Sequence, residues 1–149
     1  MNTLQTIIIS LFGIISLLAT IKGTRELLIN KNHFKEPRFL FWLGIFVWGD
    51  AIIFGAFWFL ASLICLLLQD WILFLLIVSI FWVVRSLGEI IYWLNQQFSP
   101  IIRNPPAKLI GYKLFNNDSI WFAYQIFWQC ILVVSIISSI YFTNFWINK

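Results

Sequence analysis

Four long apolar runs, separated by short polar stretches, organise this chain. The first runs from Leu4 to Ile21, about 18 residues, the least that crosses a hydrocarbon core as a helix. The second covers residues 39–68, roughly 45 Å as one continuous helix, so tilt or projection beyond the apolar slab is expected. Only Gln69 and Asp70 separate it from a third run that begins at Trp71 and continues to about residue 95. So short a link predicts an antiparallel hairpin. The fourth run follows "NNDS", where Asp118 or Ser119 can cap a helix, and extends over 119–147.

The polar stretches carry the topology. No basic residue precedes the first run, whereas Lys22 and Arg25 follow it; a cleaved leader has the opposite polarity, so the run is expected to persist as a helix. Lys22, Arg25, Lys31, Lys35 and Arg38 flank or fill the loop 23–38, and Arg103, Lys108 and Lys113 sit in the loop 96–118. Lys149 alone is basic on the opposite face. The positive-inside rule then makes both loops cytoplasmic and both termini non-cytoplasmic. The expected architecture is an all-α integral membrane protein. One domain, 1–149, holds four transmembrane helices (about 4–22, 39–68, 71–95 and 119–147) in an antiparallel up-down bundle, multi-pass in the cytoplasmic (inner) membrane.

Composition agrees. Hydrophobic residues make up 61% of the 149, charged residues only 11% and aromatic residues 19%. A water-soluble domain needs about a quarter of its residues charged, so the bilayer is the expected solvent. The net charge of +4 is spent on loops, and no basic recognition element for nucleic acid is present. Cys65 and Cys130 fall at different depths of different helices, and neither belongs to a metal-binding spacing. His33, in the first loop, is the only histidine, which excludes a His-ligated haem or a His-based triad inside the membrane and leaves a solvated side chain as the expectation. With no HExxH, GxSxG, P-loop or acidic metal cluster either, no enzyme activity, catalytic residue, metal or cofactor is expected.

Against this apolar background five polar side chains stand out: Asp50, Arg85, Glu89, Gln125 and Gln129. Counted along continuous helices, Asp50 and Arg85 each lie about 11 residues from the cytoplasmic end, roughly 16 Å, with Glu89 and the two glutamines at about 6 to 10 residues. Arg85 and Glu89 share a face at i, i+4, extended by Trp82 and Tyr92, and Gln125 and Gln129 have the same spacing. A lipid-facing charge at that depth costs about 2.5–3.5 kcal/mol, so these faces are expected to turn inward together. Asp50, Arg85 and Glu89 sum to −1, and in low dielectric one carboxyl is expected to hold a proton. Such a group suits ion binding or proton coupling. The competing reading is a clamp of hydrogen bonds that only holds helices together. Trp48, Trp82, Tyr92 and Trp128 are candidates to line a pocket beside the cluster, with bulky packing as the alternative. Thr6, Ser10, Gly13 and Thr20 on the first run, and Gly44, Ala51, Gly55 and Ser62 on the second, read as close-packing faces.

Two functions follow. An oligomeric ion- or proton-linked channel or transporter, built from homo-oligomers because four helices are few for a path, fits the polar slab best. The alternative is a non-transporting accessory or immunity-type subunit that binds a partner's helices in the membrane. The segment 99–117, broken by Pro100, Pro105 and Pro106, mixes Arg103, Lys108 and Lys113 with Ile101, Ile102, Leu109, Tyr112 and Phe115. That mixture suits contact with anionic lipid, the plainer alternative being a topogenic loop.

Overall fold

The computed structural model describes residues 1–32 and 34–149; His33, with the expectation of a solvated histidine there, lies outside them, as does the side chain of Arg38. Among the described residues there is no strand, and four helices are long and apolar enough to cross a membrane. They are α1 (Thr3–Leu28), α2 (Trp48–Leu67), α3 (Trp71–Phe98) and α5 (Ser119–Ile147), with a single turn, α4 (Tyr112–Phe115), before the last. The chain divides into two compact units, Met1–Ile77 with Lys149 and Val78–Asn148, so that α3 begins in the first and continues in the second.

The first unit is built on small residues. Asn2 opens α1 with a reciprocal capping box: its side chain accepts from Gln5 N and the Gln5 side chain accepts from Asn2 N, each at 2.9 Å. The helix runs on to Leu28, beyond the expected end near residue 22, because Lys22 to Arg25 contain no proline and the buried Gly23 packs against α2. Gly13 lies against Ser62, Thr20 and Ser16 against Gly55, and Gly23 against Ala51 and the Trp48 carbonyl. Lipid tails are as apolar as leucine, so no hydrophobic drive joins two helices there; close backbone approach and dispersion must do it, and small side chains permit that approach. Phe12 fills the seam on one side, edge-on to Trp42, Trp58 and Phe74 with centroids 5.0–5.3 Å apart.

The second apolar run is not one helix. Residues 39–68 were expected to be continuous, but Arg38–Leu43 forms a 3-10 helix, Gly44 turns left-handed at φ 72°, and α2 begins only at Trp48. A left-handed residue cannot lie inside an α-helix, and glycine adopts that conformation without a Cβ penalty. Leu40, Leu43 and Ile45 are buried, and the buried Trp58 indole donates to the Leu43 carbonyl at 2.9 Å. The left-handed turn at 43–45 is therefore covered by protein, as non-helical backbone in an apolar medium must be. Lys22 extends between the rings of Phe39 and Trp48, 5.4 and 5.2 Å from their centroids, a cation–π contact worth about 0.5–1 kcal/mol.

Three residues separate α2 from α3. Gln69 adopts φ 51°, and Asp70 caps α3 by accepting from Ile72 N and Leu73 N at 3.0 and 3.1 Å. The same turn receives both chain ends: the Met1 amine lies 3.5 Å from the Gln69 carbonyl, and Lys149 Nζ lies 3.1 Å from Asp70 Oδ1.

The second unit is held by aromatic and amide side chains instead. Trp82 stacks on Trp128 with planes 18° apart, and Trp93 meets Tyr124 with centroids 4.6 Å apart. Trp93, Ile120 and Trp121 form a buried centre against which Leu109 and Tyr112 of the connecting segment pack. Asp118 occupies the cap position of α5 as expected but makes no side-chain cap; the Asn117 side chain instead accepts from Ser119 N at 2.9 Å.

Candidate functional site

Asp50 has a local task. It is the third residue of α2, and its Oδ2 accepts from Phe46 N at 3.1 Å and from Val47 N at 3.4 Å. Those amides lie at and just before the helix start, where no intrahelical carbonyl is available to them. A carboxylate in the first turn also faces the positive end of the helix dipole. The expected depth of Asp50, about 11 residues into a continuous helix, is thus corrected: the 3-10 helix and Gly44 leave only Trp48 and Gly49 of α2 ahead of it. An apolar run alone could not show this, since residues 39–47 are as hydrophobic as the helix that follows.

Arg85, Glu89, Gln125 and Gln129 belong to the second unit. Arg85 and Glu89 pair along α3 as their spacing predicts, guanidinium to carboxylate at 3.2 Å, with side chains only 17% and 14% exposed. Pairing cancels the net charge of this helical turn, which lowers the cost of placing either group at membrane depth. Gln125 is buried and its Oε1 accepts from Gln97 Nε2 at 2.7 Å, a bond from α5 to α3; Gln129, one turn on, is half-buried.

The aromatic candidates divide between the units. Trp48, in the first, is buried beneath the Lys22 ammonium, so it is part of a packed cation–π stack. Trp82 and Trp128 are stacked on each other with an offset, their centroids 6.3 Å apart. Tyr92 turns its hydroxyl to Asn104, accepting from Nδ2 at 2.6 Å.

Sequence reasoning overlooked a group at the end of α3. Gln96 is buried, and its Oε1 accepts from Arg103 N and Asn104 N at 3.1 and 2.9 Å. Asn104 in turn offers its carbonyl to the Trp121 indole at 2.9 Å, and Tyr124 donates to the Ile110 carbonyl at 3.2 Å. Side chains of α3 and α5 thus replace water as partners for a segment that Pro105 and Pro106 keep from forming one continuous helix. The available signal was the run of polar residues "NQQ" followed by the proline-interrupted, aromatic-rich stretch. Among the described residues no cluster of His, Cys, Asp or Glu could hold a metal ion.

Comparison with known proteins identifies no relative: no family model, no curated protein and no solved structure matches this chain.

Proposed function

We propose that this protein is a multi-pass membrane protein of the cytoplasmic membrane that works by binding other transmembrane helices, as an accessory subunit rather than as a catalyst. The observation that carries this reading is the employment of its intramembrane polar groups in holding the chain together: Asp50 on the start of α2, Glu89 on Arg85, Gln97 on Gln125. Side chains so engaged stabilise a scaffold, and the broad apolar surface of α5, with Val134, Ile137 and Ile140 exposed, is then what a partner helix or lipid covers. The basic loops support a topology with both termini on the non-cytoplasmic side.

A second reading, an oligomeric ion- or proton-linked channel or transporter using Asp50, Arg85 and Glu89, is favoured by one observation: a charged pair in the interior of α3, little exposed. Measurement of proton and cation flux in proteoliposomes separates the two. The accessory reading expects no flux above lipid blanks from the purified protein. Flux that is present, and falls in Glu89→Gln and Arg85→Gln, would establish the second reading in its place.

A further inference from the structure

The segment between α3 and α5 has an outer face whose chemistry is unlike that of any water-facing loop. Helix α3 is 28 residues long, about 42 Å at helical rise, which matches a whole bilayer including its headgroups. Its end at Phe98 therefore falls at headgroup level if its apolar length is centred in the membrane. Beyond it, Ile110 is 86% and Leu114 84% exposed, and Ile101 and Ile102 are exposed as well. Arg103, Lys108 and Lys113 are exposed too, giving residues 99–117 a charge of +3 with no acidic residue among them; Asp118 follows at the start of α5.

Nor is this a loose tether that happens to be apolar. Gln96 holds the Arg103 and Asn104 amides, Trp121 and Tyr124 hold the Asn104 and Ile110 carbonyls, and Leu109 and Tyr112 are turned inward onto the Trp93–Trp121 centre. Gly111, at φ 89°, reverses the chain between Ile110 and Tyr112, so the inward residue and the outward one are neighbours. Large aliphatic side chains held outward on a fixed backbone beside lysine and arginine have one medium that satisfies both: the boundary between acyl chains and anionic headgroups.

We propose that residues 99–117 form an interfacial foot that binds the anionic phospholipids of the leaflet it lies on. Ile110 and Leu114 enter the outer acyl region. Arg103, Lys108 and Lys113 sit at the phosphate level and select negatively charged headgroups. Each basic residue near such a surface contributes about a fivefold preference for anionic over zwitterionic lipid, so the three together give on the order of a hundredfold.

The test uses the full chain reconstituted in vesicles of phosphatidylcholine, alone or mixed with phosphatidylglycerol. A nitroxide is placed at Ile110→Cys, with Cys65→Ala and Cys130→Ala removing the native thiols. In the mixed vesicles the label is expected to relax with oxygen and to be shielded from a water-soluble nickel chelate. Lipid retained through purification is expected to be enriched in phosphatidylglycerol, and Arg103→Gln/Lys108→Gln/Lys113→Gln, all at exposed positions, is expected to lower that enrichment severalfold while circular dichroism is unchanged, the basic residues of loop 23–38 retaining the remainder. Free access of the nickel chelate to the label in both vesicles would overturn the proposal. So would undiminished phosphatidylglycerol enrichment in the triple variant, or shielding that arises only on adding an acidic peptide, which would make the surface a protein-docking one.

Discussion

The seam between α1 and α2 makes a sharp demand on Gly55. A Cβ built there would collide with Thr20 Oγ1 and would stand 2.9 Å from the Ser16 carbonyl oxygen and 3.1 Å from Thr20 N. The hydroxyl belongs to a short side chain already donating to Ser16 O at 2.9 Å, and the other two atoms are helix backbone. None of the three can turn aside, so Gly55→Ala must push the helices apart. Overpacking of this kind costs about 1–3 kcal/mol, whereas alanine in place of helical glycine gains about 0.5–1 kcal/mol, leaving a net loss of up to about 2.5 kcal/mol, centred near 1. Gly88 supplies the control: it is exposed, a Cβ on it meets nothing within 4 Å, and Gly88→Ala should keep the helical gain alone. Unfolding in mixed micelles with rising dodecyl sulfate, followed by far-ultraviolet circular dichroism, measures both. Gly55→Ala is expected to unfold at a lower fraction of the denaturing detergent than wild type, and Gly88→Ala at the same or a higher one. Equal midpoints for the two variants would refute the close-approach argument, because the only difference between them is what the added methyl touches.

Three further outcomes are expected. Asp50→Ala should cost about 0.5–2 kcal/mol through loss of the cap on Phe46 and Val47, with Asp50→Asn retaining part of it, read from the same unfolding curves. Gln96→Leu leaves the Arg103 and Asn104 amides without their acceptor, so their hydrogen exchange should speed up by about tenfold to a hundredfold while the helix cores stay protected. Ser62 carries a buried hydroxyl with no partner against Gly13, and Ser62→Ala should be neutral or stabilising by up to about 1 kcal/mol; marked destabilisation would show that the hydroxyl is bonded.

Apolar length was enough to read four helices, because hydrogen bonding of the backbone in lipid leaves few alternatives. The i, i+4 spacing was enough to read the Arg85–Glu89 pair; of the small residues read as packing faces, Gly13, Thr20, Ala51, Gly55 and Ser62 line the seam, whereas Gly44 turns the chain ahead of α2 and Thr6 donates to the Asn2 carbonyl of its own helix. What hydropathy could not reveal is where helix stops within a run that stays apolar throughout. Residues 39–47 look like helix by that measure, and the interruption depends on one glycine in a left-handed conformation and on a carboxylate three residues into α2. The depth assigned to Asp50 rested on that continuity and moved with it. Gln96 and Asn104 were equally hard to foresee, since their partners are backbone atoms brought near only by the folded chain.

Trp58 and Leu43 carry a consequence for biogenesis. A segment whose carbonyl is satisfied by an indole 15 residues further on cannot settle by itself in the way a helix can. The stretch from 38 to 47 must wait until α2 has formed and presented that ring. Its docking is then a late event in assembly, after insertion of the helix that follows it in the chain, and Trp58→Phe would delay or undo that step while leaving α2 itself intact.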